Sequence, residues 1–219
     1  MTSESDADQA LLRRICAGEQ HALGELFRAH RERLRRMVQL RLDRRLQGRI
    51  DPSDVIQEAF VDATRRLAEY TADPAMPPFL WLRLLTAQRL ITLHRIHLGV
   101  KGRDVGREVS LHSGPLPSAN SRSLAAQLLG RLTTPSRAAI RAEIQIKIQD
   151  ALNAMDPIDR EILALRHFEE LNNNETAAVL GLHKAAASNR YVRALRRLKE
   201  ILAPALGLGD ESGASRPIR

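Results

Sequence analysis

The chain has 219 residues, 43% of them hydrophobic but only 3% aromatic, so its cores must be built from Leu, Ile, Val and Ala side chains. The formal net charge of +8 indicates a polyanionic partner, either nucleic acid or an acidic membrane surface. A single cysteine, Cys16, excludes an intrachain disulfide, and no apolar run approaches the ~20 residues that span a bilayer, so we expect a cytoplasmic protein.

The N-terminal part of the chain has the three- and four-residue apolar spacing of α-helices. Leu11 and Ile15 mark one short helix, and a longer helix runs from Leu23 to Leu42. The pair Asp51-Pro52 predicts a helix start, because an acid caps the first turn and proline suits the first helical position. The predicted buried face of that helix is Val55, Ile56, Ala59, Phe60, Ala63 and Leu67.

The middle of the chain contains the strongest helix breakers. Three prolines between Thr71 and Pro78 predict a loop, and the next helix runs from Phe79 to about Leu98. On that helix Trp81 has two interpretations, a base-stacking residue or a core anchor, and the apolar surroundings favour the core. From Gly99 to about Ser136 the composition shifts to Gly, Pro, Ser and Arg, which predicts a tether with one short helix at 124–132.

Helical spacing resumes after the tether. Ile144, Ile148 and Leu152 form a four-residue stripe, and Asp156-Pro157 repeats the cap-plus-proline start. Because strand alternation is absent from the sequence, we predict an all-α protein with two helical domains joined by a flexible linker. The predicted ranges are an N-terminal domain at 1–100, a linker at 101–136, a C-terminal domain at 137–204 and a tail at 205–219.

The segment from Glu175 to Lys199 has the pattern of a helix-turn-helix. Ala177 and Gly181 are small enough for two helices to cross closely, and Gly181 suits a left-handed C-cap. A second helix begins near Lys184 with one apolar face and one basic face. A solvated basic surface explains that helix alone equally well, but the Ala-Gly-Leu turn before it favours DNA. A membrane-surface helix would need larger apolar residues than its Ala-rich face offers.

Three C-terminal segments resemble the promoter-reading domain of extracytoplasmic-function sigma factors, a subfamily of bacterial RNA polymerase sigma factors. Residues 155–168 are similar to the family pattern Leu-Pro-x-x-x-Arg-Glu-x-Leu-x-Leu-Arg, and residues 175–182 to Glu-Ile-Ala-x-x-Leu-Gly-Ile. Residues 187–198 resemble Val-Lys-Ser-Arg-Leu-x-Arg-Ala-Arg-Arg-x-Leu, although Ser188 stands where Lys or Arg is usual.

The N-terminal half resembles the same family independently. Residues 54–60, Asp-Val-Ile-Gln-Glu-Ala-Phe, are similar to its polymerase-binding helix with the signature Asp-x-x-Gln-Glu-x-Phe. Residues 79–82, Phe-Leu-Trp-Leu, followed by Gln88 and Arg95, resemble its promoter-melting helix, although Gln88 and Thr92 replace a usual Asn and Asp. Two domain-specific patterns in the expected order are far more specific than either alone.

The resemblance implies a sigma factor that binds core RNA polymerase and promoter DNA, both double-stranded and melted, with no cofactor, metal or catalytic residue. An anti-sigma factor is a candidate further partner. The implied polymerase-binding residues are Asp54, Gln57 and Glu58. The implied contacts to melted DNA are Gln88, Arg89, Thr92 and Arg95. In the upstream element the implied groove-facing residues are Ser188, Asn189, Val192 and Arg193, and the backbone contacts are Lys184, Arg190, Arg196 and Arg197.

Three alternatives remain open from the residues alone. A free-standing helix-turn-helix regulator would share the basic helix but would not need the polymerase-binding pattern. In that pattern, Asp54 and Glu58 could simply complement the positive N-terminus of their own helix. An enzyme such as a DNA recombinase needs a catalytic constellation, for which the sequence offers no phosphate-binding glycine loop. His94 and His97 are spaced to begin a metal site but have no convincing third ligand nearby, which favours a solvated or phosphate-contacting pair.

Overall fold

The computed structural model describes residues 2–19, 21–98, 118–132 and 138–205. In these ranges the chain forms helices and no β-strand, apart from an isolated bridge between Gln47 and Ile50. None of the described helices combines the length and the hydropathy that crossing a bilayer requires. The chain divides into two compact units: unit 1 comprises Met1–Ser118 and Phe168–Leu171, and unit 2 comprises Ala119–His167 and Asn172–Arg219.

Unit 1 is built from α1 (Thr2–Cys16), α2 (Ala22–Arg41), α3 (Pro52–Ala72) and α4 (Pro78–Leu98). Helix α1 packs against α2 and α4, and α2 and α3 each pack against α4 and against one another. The core is mainly aliphatic, as the composition predicts, and its fully buried side chains include Leu26, Leu34, Met37, Leu82 and Leu90.

The predicted start of α3 is confirmed. The Asp51 carboxylate accepts a hydrogen bond from the Ser53 amide at 2.7 Å, and Pro52 occupies the first turn. This bond from a backbone amide holds the pKa of Asp51 below its ordinary value. The helix continues to Ala72, slightly beyond the predicted loop start at Thr71, because the first proline comes only at position 74.

The aromatic residues of unit 1 separate into buried and exposed ones. Trp81 is buried and stacks on Tyr70, with ring centroids 4.1 Å apart and planes inclined by 7°, which confirms the core interpretation. The prediction that Phe60 is buried is wrong, since its side chain is 37% exposed and touches the edge of Phe27. The buried stripe of α3 is narrower than predicted, and Phe60 lies just outside it.

The segment Phe168–Leu171 belongs to unit 1 through contacts with arginines. Arg33 donates from Nε to the Glu169 carbonyl oxygen at 2.9 Å. The Glu169 carboxylate is fully buried and forms ion pairs with Arg41 and Arg83. Burial alone would raise the pKa of Glu169, but the two guanidinium charges outweigh it and hold the pKa below its ordinary value.

Unit 2 contains α5 (Ser121–Leu132), α6 (Ala138–Asn153), α7 (Pro157–Leu163), α8 (Asn173–Leu180) and α9 (Lys184–Ala205). A π-helical turn, Ala164–Phe168, continues α7. Helix α5 packs against α6, while α9 packs against α6, α7 and α8. The predicted start of α7 is confirmed, because the Asp156 carboxylate accepts a hydrogen bond from the Ile158 amide at 2.8 Å.

Helix α5 contains the short helix predicted at 124–132, and it lies within unit 2. Its buried side chains include Leu124, Ala125 and Leu129. The Ala119 amide, just before α5, donates to Glu161 of α7 at 2.9 Å. The remaining parts of the predicted linker, 101–117 and 133–136, and the tail from 206 onward lie outside the described residues.

Candidate nucleic-acid interface and docking surface

The turn between α8 and α9 has the predicted helix-turn-helix geometry. Gly181 adopts the left-handed conformation with φ of +62°, and the Leu182 amide donates to the Ala177 carbonyl at 2.9 Å. At the other end of α8, Asn172 and Glu175 form a reciprocal capping box, in which each side chain accepts from the other residue's amide. Asn172 is the first of three successive asparagines and the other two begin α8, but the capping role of Asn172 was not predicted from the sequence.

Helix α9 has one buried face and one polar face, as predicted. Ala187, Ala194 and Leu198 are buried. The predicted DNA-reading residues that are exposed on α9 are Lys184, Ser188, Asn189, Val192, Arg193, Arg196 and Arg197, while Arg190 is half-buried. Val192 is the unusual member of this face, because it is apolar and yet 52% exposed. The polar face therefore offers small polar, apolar and cationic groups on a single helix.

Two of the arginines on α9 are held by acids of α7. Arg193 donates to the Asp159 carboxylate from Nε at 2.7 Å and from Nη2 at 2.8 Å. Arg190 donates from Nη1 to Asp159 at 2.8 Å and to Asp156 at 3.2 Å. Burial would raise the pKa of Asp159, but the hydrogen bonds from Arg193 and Arg190 outweigh it and hold the pKa below its ordinary value. The role of Asp159 was not predicted, because it pairs with a residue 34 positions away.

The predicted polymerase-binding residues lie together on the first turns of α3. Asp54, Gln57 and Glu58 are all exposed. Next to them are Phe60 and Val61, the latter 45% exposed, so the surface is acidic and apolar rather than purely polar. Neither apolar residue was predicted as a site residue, and helical spacing alone placed Phe60 in the core.

The residues predicted to contact melted DNA lie on α4. Gln88 accepts from Arg66 at 3.0 Å, Thr92 donates from its hydroxyl to the Gln88 carbonyl at 3.0 Å, and Arg95 is exposed. Arg89 instead forms an ion pair with Glu58 of α3 at 3.0 Å. Glu58 and Arg89 thus pair with each other, although they were predicted to bind two different partners, the polymerase and melted DNA.

His94 has a structural contact. Its Nε2 accepts a hydrogen bond from the Asp43 amide at 3.1 Å, so this nitrogen carries no proton. Burial lowers the pKa of His94, which agrees with a neutral ring. Among the described residues, no group of three His, Cys, Asp or Glu side chains is placed to hold a metal ion. The metal-site alternative for His94 and His97, which the sequence disfavoured, gains no support from this geometry.

Comparison with known proteins gives one family and several relatives. A family model described as sigma-70, region 4 matches residues 145–198, which extend from α6 into α9. The RNA polymerase sigma factor NccH of Alcaligenes xylosoxydans xylosoxydans is 27% identical over 203 residues, covering 91% of this chain and 97% of its own. The ECF RNA polymerase sigma factor SigD of Mycobacterium tuberculosis is 26% identical, covering 91% of this chain and 86% of its own.

A solved structure supports the same fold. It is described as CnrH in complex with the cytosolic domain of CnrY, and it matches with a TM-score of 0.53 at 24% identity. The match covers 91% of this chain and 99% of that chain. At this identity the likeness concerns the fold, and it agrees with the all-α architecture predicted from the sequence.

The helix-turn-helix lies inside the segment matched by the sigma-70 region 4 model, so this segment is similar to region 4 of sigma-70 transcription factors. Relatives that are named as RNA polymerase sigma factors align over nine-tenths of the chain. These relatives confirm the resemblance to the extracytoplasmic-function sigma factors of bacterial RNA polymerase that the sequence showed.

Proposed function

We propose that this chain binds core RNA polymerase through unit 1, recognises the upstream promoter element through α9 and directs promoter melting and transcription initiation. The observation that carries the proposal is the exposed polar and basic face of α9, which directly follows a glycine-capped turn. A helix presented by such a turn fits the major groove with its N-terminal residues toward base edges.

The polar face of α9 supports a division between base contacts and phosphate contacts. Ser188 and Asn189 lie near the N-terminal end, and their short polar side chains suit hydrogen bonds to base edges. The exposed methyl groups of Val192 suit contact with a thymine methyl. Lys184 and Arg196 are exposed cations at the two ends of this face, where they would neutralise phosphates and fix the register of the helix.

The exposed surface of α3 supports polymerase binding. Asp54 and Gln57 offer acceptors and an amide, and beside them Phe60 and Val61 expose apolar surface. Exposed apolar side chains bordered by polar ones are typical of protein-protein interfaces. Glu58 is less available for a partner than predicted, because Arg89 is paired with it.

The outer face of α4 supports contact with melted DNA. Gln88, Thr92 and Arg95 are spaced at four and three residues and therefore share one side of the helix. Arg95 provides the positive charge that single-stranded DNA requires, while Gln88 and Thr92 provide polar groups for an unstacked base. Trp81 takes no part in this proposal because it is buried against Tyr70.

A regulatory protein partner also belongs to the proposal. The solved neighbour CnrH was determined in complex with the cytosolic domain of CnrY. This chain shares its fold, and the predicted anti-sigma partner gains support from that complex.

Reconstituted transcription tests the proposal. Core RNA polymerase with the full-length chain, supplied with a pool of genomic DNA fragments, should produce transcripts that core polymerase alone does not produce. The matched control is the chain with Lys184→Ala and Arg196→Ala, which should still associate with core polymerase on gel filtration but initiate weakly. A chain that binds specific duplexes without associating with core polymerase would instead be a free-standing helix-turn-helix regulator.

A further inference from the structure

The ion pair between Asp159 of α7 and Arg193 of α9 joins a nearly buried side chain to an exposed one. Asp159 lies in the first turn of α7, and its side chain is only 5% exposed, whereas the Arg193 side chain is 60% exposed. Ion pairs between two exposed side chains contribute little to stability because water screens both charges. Here one partner is nearly buried and accepts two hydrogen bonds from a single guanidinium group, so the pair has one geometry.

This geometry leaves the outer edge of Arg193 directed away from Asp159. The guanidinium group is planar and carries five N–H donors, and the Asp159 carboxylate faces the edge formed by Nε and Nη2. Both hydrogens of Nη1 and one of Nη2 therefore point away from the carboxylate. An arginine held in this way keeps a two-donor edge in a fixed direction, and such an edge matches the two acceptors of a guanine in the major groove.

We propose that Asp159 is a positioning residue for base recognition, which holds Arg193 of α9 in the orientation that reads the DNA. The inference rests on the proposed function of α9. A long, freely rotating arginine loses conformational freedom when it binds, and it also pairs readily with any nearby phosphate. The pairing with Asp159 restricts the rotation of Arg193 and keeps its guanidinium group from nearby phosphates before DNA binds. Arg193 therefore contributes to sequence preference more than to general affinity.

Base selection by the assembled protein tests this inference. The full-length chain is combined with core RNA polymerase and presented with duplexes randomised over the upstream element, and the bound sequences are determined. Arg193→Ala identifies the base position that depends on Arg193. Asp159→Asn should weaken the preference at that same position by about ten-fold or more, while the preferences at other positions persist.

Salt dependence provides a second readout that a loss of folding would not change. On a duplex of unrelated sequence, Asp159→Asn should bind more tightly than the original chain because Arg193 is released to the phosphates, whereas Arg190 remains paired with Asp156. The slope of log affinity against log salt should become steeper by about one, as expected for one additional phosphate contact. A variant that had only lost stability would bind every duplex less well with an unchanged slope.

Asp156→Asn is the matched control. It changes the net charge by the same amount, and asparagine still caps α7, but the Asp156 carboxylate accepts hydrogen bonds from Arg190 and the Ile158 amide rather than from Arg193. Its base preference at the Arg193 position should equal that of the original chain. In an Arg193→Ala background, Asp159→Asn should have no further effect on base preference.

The orientation of Arg193 can also be measured without any substitution. In nitrogen-15 relaxation of the free chain, the Nε–H of Arg193 should be nearly as ordered as the backbone, in contrast to that of Arg196.

Three results would contradict the positioning role of Asp159. Unchanged base selection by Asp159→Asn, equal relaxation of selection by Asp156→Asn, or a mobile Arg193 Nε–H would overturn the positioning role of Asp159. If the original chain with core polymerase selected no sequence at all, the proposed function would fail first, and the positioning role would fail with it.

Discussion

Gly181 provides the most direct test of how the turn before α9 is built. Its φ of +62° lies in the left-handed region, which costs a residue with a Cβ about 1–2 kcal/mol. A Cβ added at this position would meet no heavy atom within 4 Å, so no steric clash adds to that cost. Alanine also restricts the unfolded chain, which offsets about 0.4–1 kcal/mol. Gly181→Ala should therefore destabilise unit 2 by about 1 kcal/mol.

Hydrogen exchange on the full-length chain measures this effect separately in each unit. Peptides from α8 and α9 should exchange faster in Gly181→Ala by about five-fold, the factor that 1 kcal/mol represents. Peptides from α2 and α3 should not change. Gly181→Asn is the control, because asparagine tolerates the left-handed region better than alanine. Equal exchange in Gly181→Ala and the original chain, or an equal loss in Gly181→Asn, would refute the conformational argument.

Glu169→Gln should lower the free energy of unfolding of unit 1 by about 3–5 kcal/mol in urea titrations, because Arg41 and Arg83 would lose their buried counter-charge. Folding lowers the pKa of Glu169, so the stability that its ion pairs contribute is present above the ordinary glutamate pKa and is lost as the pH falls through the folded pKa. Glu169→Gln should lack this loss of stability at acid pH, and the same dependence of stability on pH in both chains would contradict the assignment. Asp51→Ala should destabilise α3 by about 1 kcal/mol in thermal unfolding, whereas Asp51→Ser should retain most of the cap, and identical melting of both would argue against capping. Lys184→Ala should weaken binding to all duplexes alike and reduce the salt slope by about one in fluorescence anisotropy titrations, so a change in base preference would count against a phosphate contact. Trp81 is the only tryptophan, and its fluorescence should be blue-shifted and unaffected by single-stranded DNA, whereas quenching by DNA would indicate base stacking.

Local features of the structure were predictable because their causes lie within a few residues. The starts of α3 and α7 follow from an acid before a proline, and the end of α8 follows from a glycine before a second amphipathic helix. The buried face of α9 follows from its spacing of alanines and leucines. In each case the chemistry of neighbouring residues determines the backbone geometry.

Features that depend on distant residues were not predictable from one sequence. Asp159 and Arg193 are 34 positions apart, and only the packing of α7 against α9 brings them together. Glu58 and Arg89 were assigned to separate partners because nothing in the sequence shows that α3 and α4 are adjacent there. The exposure of Phe60 has the same origin, since helical spacing gives the direction of a side chain but not the width of the surface that covers it.

The central claim is that α9 contacts promoter DNA while the chain is bound to polymerase. The single cysteine makes a direct measurement practical: with Cys16→Ser and Ala185→Cys, an iron chelate attached to the exposed start of α9 cleaves nearby DNA. In the complex with core RNA polymerase, on a promoter chosen by the transcription assay, we predict cleavage confined to a few base pairs upstream of the start site. Cleavage spread evenly along the duplex, or none above the level of the Cys16→Ser chain, would contradict the account.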